Sequence, residues 1–180
     1  MFNRVSTFIV TVATGALGAA AVITPFVHAW GQSPVVHAAK PVPGAQASDA
    51  LARGRYLIAT TGCNDCHTAG YMATEGKVPE KDWLTGDALG WQGPWGTTYA
   101  PNVRLHFASV DEDAWLVEAR TRAFRPPMPS PSLRAMTDDD LRAIYRYVRA
   151  LGPAGKPAPV SLPPGQHAAG PVVVFPAPPQ

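Results

Sequence analysis

Residues 63–67 read Cys63-Asn64-Asp65-Cys66-His67, and the spacing within this run decides how the rest of the chain is understood. It is a Cys-x-x-Cys-His sequence, the pattern of covalent c-type haem attachment. Two thiols three positions apart lie on one side of a helical turn, where each can add to a vinyl group of the macrocycle. The imidazole that follows is carried beneath the ring, so one nitrogen of His67 can bind iron. Its other nitrogen is expected to donate to a backbone carbonyl or to water, which fixes the ring and raises its basicity as a ligand.

Three other uses of two cysteines are weaker. A thioredoxin-like pair needs a surrounding βαβ pattern, whereas the flanks here read as a helix followed by a long Gly-rich loop. A structural zinc site usually takes four Cys or His ligands, and these are the only two cysteines in the chain. A disulfide between residues this close closes almost no loop and stabilises little.

The chain has 180 residues, room for one domain and its extremities. With 15 basic against 13 acidic residues, nothing argues for a nucleic-acid partner. The 20 prolines and 16 glycines concentrate outside the two best helical segments. That pattern points to a small loop-rich domain whose core is completed by a non-protein group.

At the start, Met1 to Arg4 is short and basic, and Phe8 to Val27 is uncharged and largely apolar. Small-residue cleavage sites follow at Val27-His28-Ala29 and Val36-His37-Ala38. Residues 1–39 are therefore expected to be a cleaved export signal or an N-terminal anchor that holds residues 8–27 in the membrane. Either way the folded part is exported, which suits a periplasmic c-type haem protein. Residues 40–47 form a linker into a domain spanning 48–152.

Ser48 is expected to cap a helix over about 49–61, with Leu51, Tyr56, Leu57 and Ala59 as its apolar surface. Gly54 within it either admits a close helix neighbour or is a plain surface glycine. From Thr68 to Phe107 neither periodicity persists, and so long a loop needs a job. Wrapping the haem would supply one, with Trp95, Tyr99, Asn102 and Arg104 as candidate pocket residues. Ser109 and Glu112 make a capping box for a helix to about Ala123. Thr137 caps another, in which Leu141, Ile144, Tyr145, Val148 and Leu151 recur at helical spacing until Gly152-Pro153.

Between those helices lies Arg125-Pro126-Pro127-Met128-Pro129-Ser130-Pro131. Its prolines disfavour regular helix and hold the segment extended, a good way to aim a thioether at a metal. Met72 follows His67 too closely to reach the opposite haem face, and Met136 serves as a staple on Leu141. Met128 is therefore the expected second axial ligand, with His106 as the competing one. Six-coordinate iron has no free position for substrate, so the protein is expected to carry electrons rather than catalyse. The alternatives are a ligand-binding or peroxidase-like protein with an open distal side, and a thiol–disulfide protein without haem. Arg122, Arg125 and Arg134 make either a basic docking rim or a solvated, propionate-paired set. Residues 153–180 read as a Pro-rich disordered tail, with Val172 to Pro176 as a short apolar end that a partner subunit could bind.

With Cys63, Cys66, His67, the Met128 loop and the last helix in order, residues 48–152 resemble the class I (mitochondrial-type) cytochromes c. The resemblance implies an all-α fold of three to five helices and long loops wrapped around one covalently bound haem c. It places Gly54 and Tyr145 where the first and last helices cross. It also implies a proximal proline whose carbonyl holds His67, for which Pro94 and Pro101 both qualify. The loop Gly96-Thr97-Thr98-Tyr99-Ala100-Pro101-Asn102-Val103 is similar to one in cytochrome subunits of periplasmic dehydrogenases, where a Thr-Pro pair usually follows. Here Arg104-Leu105-His106 follows instead. This resemblance implies a dehydrogenase as electron donor and a cytochrome or oxidase of a respiratory chain as acceptor.

Overall fold

The computed structural model describes residues 43–176, with side chains from residue 47. The export or anchor segment and most of the linker lie outside the described residues. Among the described residues no helix is long and apolar enough to cross a membrane.

Helix α1 (Pro43–Thr60) starts earlier than the Ser48 cap implied, so Ser48 sits inside it. Its buried positions are Gly54, Leu57 and Ile58, spaced three and four apart on one face. Leu51, Tyr56 and Ala59 are exposed, contrary to the apolar surface read from sequence. That face crosses α6 (Asp138–Leu151) with the two backbones nearly touching. A Cβ added at Gly54 would lie 2.1 Å from the Ala143 carbonyl oxygen and 2.7 Å from the Tyr147 Cβ. The expected helix crossing is present, but Tyr147 rather than Tyr145 meets Gly54. Tyr145 points to the other side, its ring against Phe107 and its hydroxyl donating to Val110 O at 2.8 Å.

Helix α6 has the boundaries its sequence dictates. The Thr137 hydroxyl accepts from Asp140 N at 3.1 Å, and Gly152 at φ 72° ends it. Its apolar stripe of Leu141, Ile144, Tyr145 and Val148 is buried in the core. There it joins Ile58, Leu84, Phe107 and Trp115, with the last two rings 4.6 Å apart between centroids.

The all-α expectation is incomplete, because the helical protein also contains a small three-stranded sheet in the order β2-β1-β3. Residues 68–107 form a short 3-10 turn at Glu80–Asp82, then a hairpin of β1 (Gly90–Gly93) and β2 (Gly96–Tyr99). Helix α3 (Val103–Ser109) closes the segment, capped by Asn102, whose side chain accepts from Leu105 N. The third strand, β3 (Val172–Val174), comes from the segment read as a disordered tail and pairs parallel with β1. That reading is corrected: prolines do not prevent an edge strand when their missing N–H groups fall outside the ladder.

Helix α4 (Glu112–Thr121) is capped by Asp111, which accepts from Ala114 N, and not by Ser109. The Ser109 hydroxyl instead donates back to His106 O at 2.7 Å, finishing α3. The methionine segment is also less extended than its prolines implied. Met128 N bonds to Arg125 O in a turn, and α5 (Ser130–Ala135) begins immediately afterwards with Pro131 in its first turn.

Candidate functional site

Helix α2 (Cys63–His67) is a single turn packed against the core, with Asn64 and His67 buried and Asp65 exposed. A relay of hydrogen bonds fixes it. The Thr68 hydroxyl donates to Asn64 Oδ1 at 2.7 Å and accepts from Leu84 N at 2.8 Å. Gly86 N donates to His67 O at 2.8 Å. The motif is thereby tied to the following loop before any cofactor is considered.

The imidazole of His67 is fixed from the other side. Its Nδ1 lies 2.8 Å from Pro101 O. A carbonyl can only accept, so Nδ1 carries the hydrogen and Nε2 carries the lone pair. Burial lowers the His67 pKa, opposed by the Pro101 carbonyl. The ring is thus neutral near pH 7, as a metal ligand must be. Of the two prolines that qualified, Pro101 holds the ring.

Cys63, Cys66 and His67 lie on the wall of a cavity of about 670 Å3, within the range of cofactor and ligand clefts. The rest of its wall is mainly apolar, including Leu84, Phe107, Ile144 and Val148. Burial pushes both thiols up from their ordinary value. A thiol–disulfide exchanger needs the opposite shift, toward thiolate. Among the described residues no group of three or more His, Cys, Asp or Glu side chains converges to hold a metal ion.

Met128 lines the same cavity and packs against the core. So does Met136, which the staple role had set aside, whereas Met72 is 54% exposed and does not line it. His106 reaches the wall as well, but its Nε2 is 2.7 Å from Glu118 Oε2. Glu118 also takes a hydrogen bond from Arg122, so His106 is committed to a side-chain cluster.

Of the tentative pocket residues, Tyr99 and Asn102 line the cavity, but the Asn102 amide is already engaged. Its Nδ2 donates to Ala154 O at 2.7 Å and Lys156 O at 3.2 Å. Arg104 is a correction. Its guanidinium is buried and donates to Gly152 O, Leu151 O and Lys81 O, which satisfies carbonyls at the end of α6. Trp95 is a second correction. It sits at the hairpin turn, 5.4 Å from the Phe175 ring, away from the cavity wall. The arginines of the expected rim are largely occupied too. Arg125 donates to Trp95 O and Leu162 O, and Arg134 to Arg122 O.

Two residues missed in the sequence matter more. Trp91 Nε1 and Thr98 Oγ1 are buried with no hydrogen-bond partner, and both residues line the cavity. Orphaned buried donors are costly, about 1–3 kcal/mol each, and ask for a polar partner. Both lie on adjacent strands, paired as Trp91↔Thr98 in the register. No pattern in the sequence distinguishes Trp91 from Trp95; only the hairpin does.

The donor set fits a haem with two anionic side groups. Thiols, an imidazole and a thioether line one cavity, and unpartnered polar hydrogens are available to carboxylates.

Comparison with known proteins adds one relative. The chain is 32% identical over 123 residues to the gluconate 2-dehydrogenase cytochrome c subunit of Pantoea cypripedii. The match covers 61% of this chain and 28% of that protein, so the chain spans little more than a quarter of its relative. No family model matches the chain, and no solved structure matches it.

Proposed function

We propose that the protein is a single-haem c-type cytochrome that carries electrons. The observation that carries this reading is one cavity lined by Cys63, Cys66, His67 and Met128, with the histidine pre-set by Pro101. Cys63 and Cys66 would hold haem c by thioethers, and His67 and Met128 would ligate its iron. Bound there, the haem supplies a one-electron couple, and Met/His ligation favours a relatively high potential.

The residues around it bind, orient and exclude water. Pro101 O fixes the His67 tautomer, so Nε2 would be free of a competing proton when iron binds. The Asn64–Thr68–Leu84 hydrogen bonds hold the motif turn against the following loop. Trp91 Nε1 and Thr98 Oγ1 would be free to donate to the propionates, and the apolar wall of Leu84, Phe107, Ile144 and Val148 would keep the site dry.

The electron donor in this reading is a dehydrogenase subunit, supported by the relative named above and by the Gly96 to Val103 loop. The acceptor is a cytochrome or oxidase of a respiratory chain. Residues 1–39 deliver the folded unit to the periplasm, as a cleaved signal or as an anchor through residues 8–27.

Mass spectrometry of the denatured, periplasmically matured protein tests attachment, since thioether-linked haem survives unfolding. A ferric spectrum tests the carrier role, because methionine-ligated haem shows a weak far-red sulfur-to-iron band. Rapid binding of carbon monoxide or cyanide without that band would replace the carrier with an open-site haem protein.

A further inference from the structure

We infer that residues 153–176 form a strap that closes the cofactor cavity and sets how far water reaches it. This rests on the haem reading above. Pro157, Ala158, Pro159 and Ser161 stand in the cavity wall, beyond the last helix and outside the region that resembles a cytochrome c.

The strap is gripped at both edges of the hairpin. On the β2 edge, Thr97 and Leu162 exchange two backbone hydrogen bonds of 3.0 and 2.8 Å. On the β1 edge, Gly90 N donates to Pro171 O at 2.9 Å and Phe175 N to Gln92 O at 2.7 Å. Phe175 then covers the indoles of Trp91 and Trp95, with centroids 6.1 and 5.4 Å away. Asn102 fastens its start through Ala154 O and Lys156 O, and Arg125 holds Leu162 O.

Composition suits this role. Pro157 and Pro159 lose little chain entropy on ordering and bring no N–H to an apolar wall. The approach at Gly96 is close enough to exclude a side chain. A Cβ there would lie 2.2 Å from Leu162 O, and its φ of +94° suits glycine. The strands gripped are also those that present Trp91 and Thr98, so the strap positions both orphaned donors.

The consequence is electrostatic. Water near the iron stabilises the ferric state, which carries the additional positive charge, and a dry wall opposes it. Releasing the strap should therefore lower the potential while leaving the thioethers and Met128 in place. Two independent variants test this, Gly96→Ala and a chain ending at Lys156, each produced as the mature haem-loaded protein. Both should retain covalent haem by mass and the far-red methionine band, and both should titrate at a lower potential than the parent. Unchanged potentials in haem-loaded variants would overturn the inference while leaving the haem reading intact. Loss of the band together with the drop would also overturn it, since the strap would then act by holding Met128. A parent chain without covalent haem would remove the haem reading and the strap with it.

Discussion

The carbonyl oxygen of Pro101 lies 2.8 Å from Nδ1 of His67, across 34 residues of sequence. That bond turns an immobile backbone group into the determinant of which imidazole nitrogen faces the cavity. Its precision depends on a neighbour. Gly86, at φ +83°, is so close that a Cβ would fall 2.9 Å from Asn102 N and 3.0 Å from Ala100 O, the groups flanking Pro101. Gly86→Ala should push residues 100–102 away and destabilise the fold by about 1–3 kcal/mol. Because the His67 ring is then held less firmly, the potential of the haem-loaded protein should shift as well. Denaturant unfolding and a redox titration check the pair; a variant unaltered in both would detach Gly86 from the ligand.

Met128 and Met136 share the cavity wall, and their substitutions should separate cleanly. Met128→Ala should abolish the far-red band, lower the potential and open the iron to carbon monoxide. Met136→Ala should keep the band and cost about 2 kcal/mol of stability by leaving a small void. The reverse pattern would assign the ligand to Met136.

Arg104 should behave as a structural residue despite its place beside the pocket loop. Its three donors serve Gly152, Leu151 and Lys81 carbonyls, two of them at the end of α6. Arg104→Met should therefore destabilise by on the order of 3 kcal/mol, the scale expected when buried acceptors lose a charged donor. The potential should remain unchanged. A shifted potential with full stability would return Arg104 to the propionates.

Acid should weaken the protein partly through Glu112. Hydrogen bonding to Arg146, and then to Arg142, holds its carboxyl below the usual carboxylate value. Its contribution is thus fully present above the unfolded-state pKa of about 4.3 and is lost as pH falls through the lower folded value. Glu112→Gln should narrow the stability gap between parent and variant as the pH drops below 4. Unfolding curves at pH 7 and at several lower values measure that gap, and a constant gap would exclude Glu112 from the acid response.

What could be read in the chain beforehand was whatever local spacing controls. The motif turn, the Thr137 cap and the stripe Leu141, Ile144, Val148 all depend on neighbours within a turn or two. Errors arose where a choice was settled at a distance. Ser109 and Asp111 are both competent caps, and the end of α3 decides between them. Arg104 looked like a pocket residue because it follows the pocket loop, yet its long side chain reaches the end of another helix. Trp91 and Trp95 differ only in their place on a hairpin, and that hairpin is completed by Val172 to Val174 from far along the sequence. Strand pairings of such separation leave almost no local trace, and proline-rich composition argued against them.

The strap also bears on the order of assembly. Cys63, Cys66 and His67 belong to the early part of the folded unit, whereas one side of their enclosure arrives only with Pro157 to Ser161. In the proposed reading, a chain emerging on the far side of a membrane would offer its thiols through an unfinished wall. The segment that follows the last helix would then close that side behind the guest.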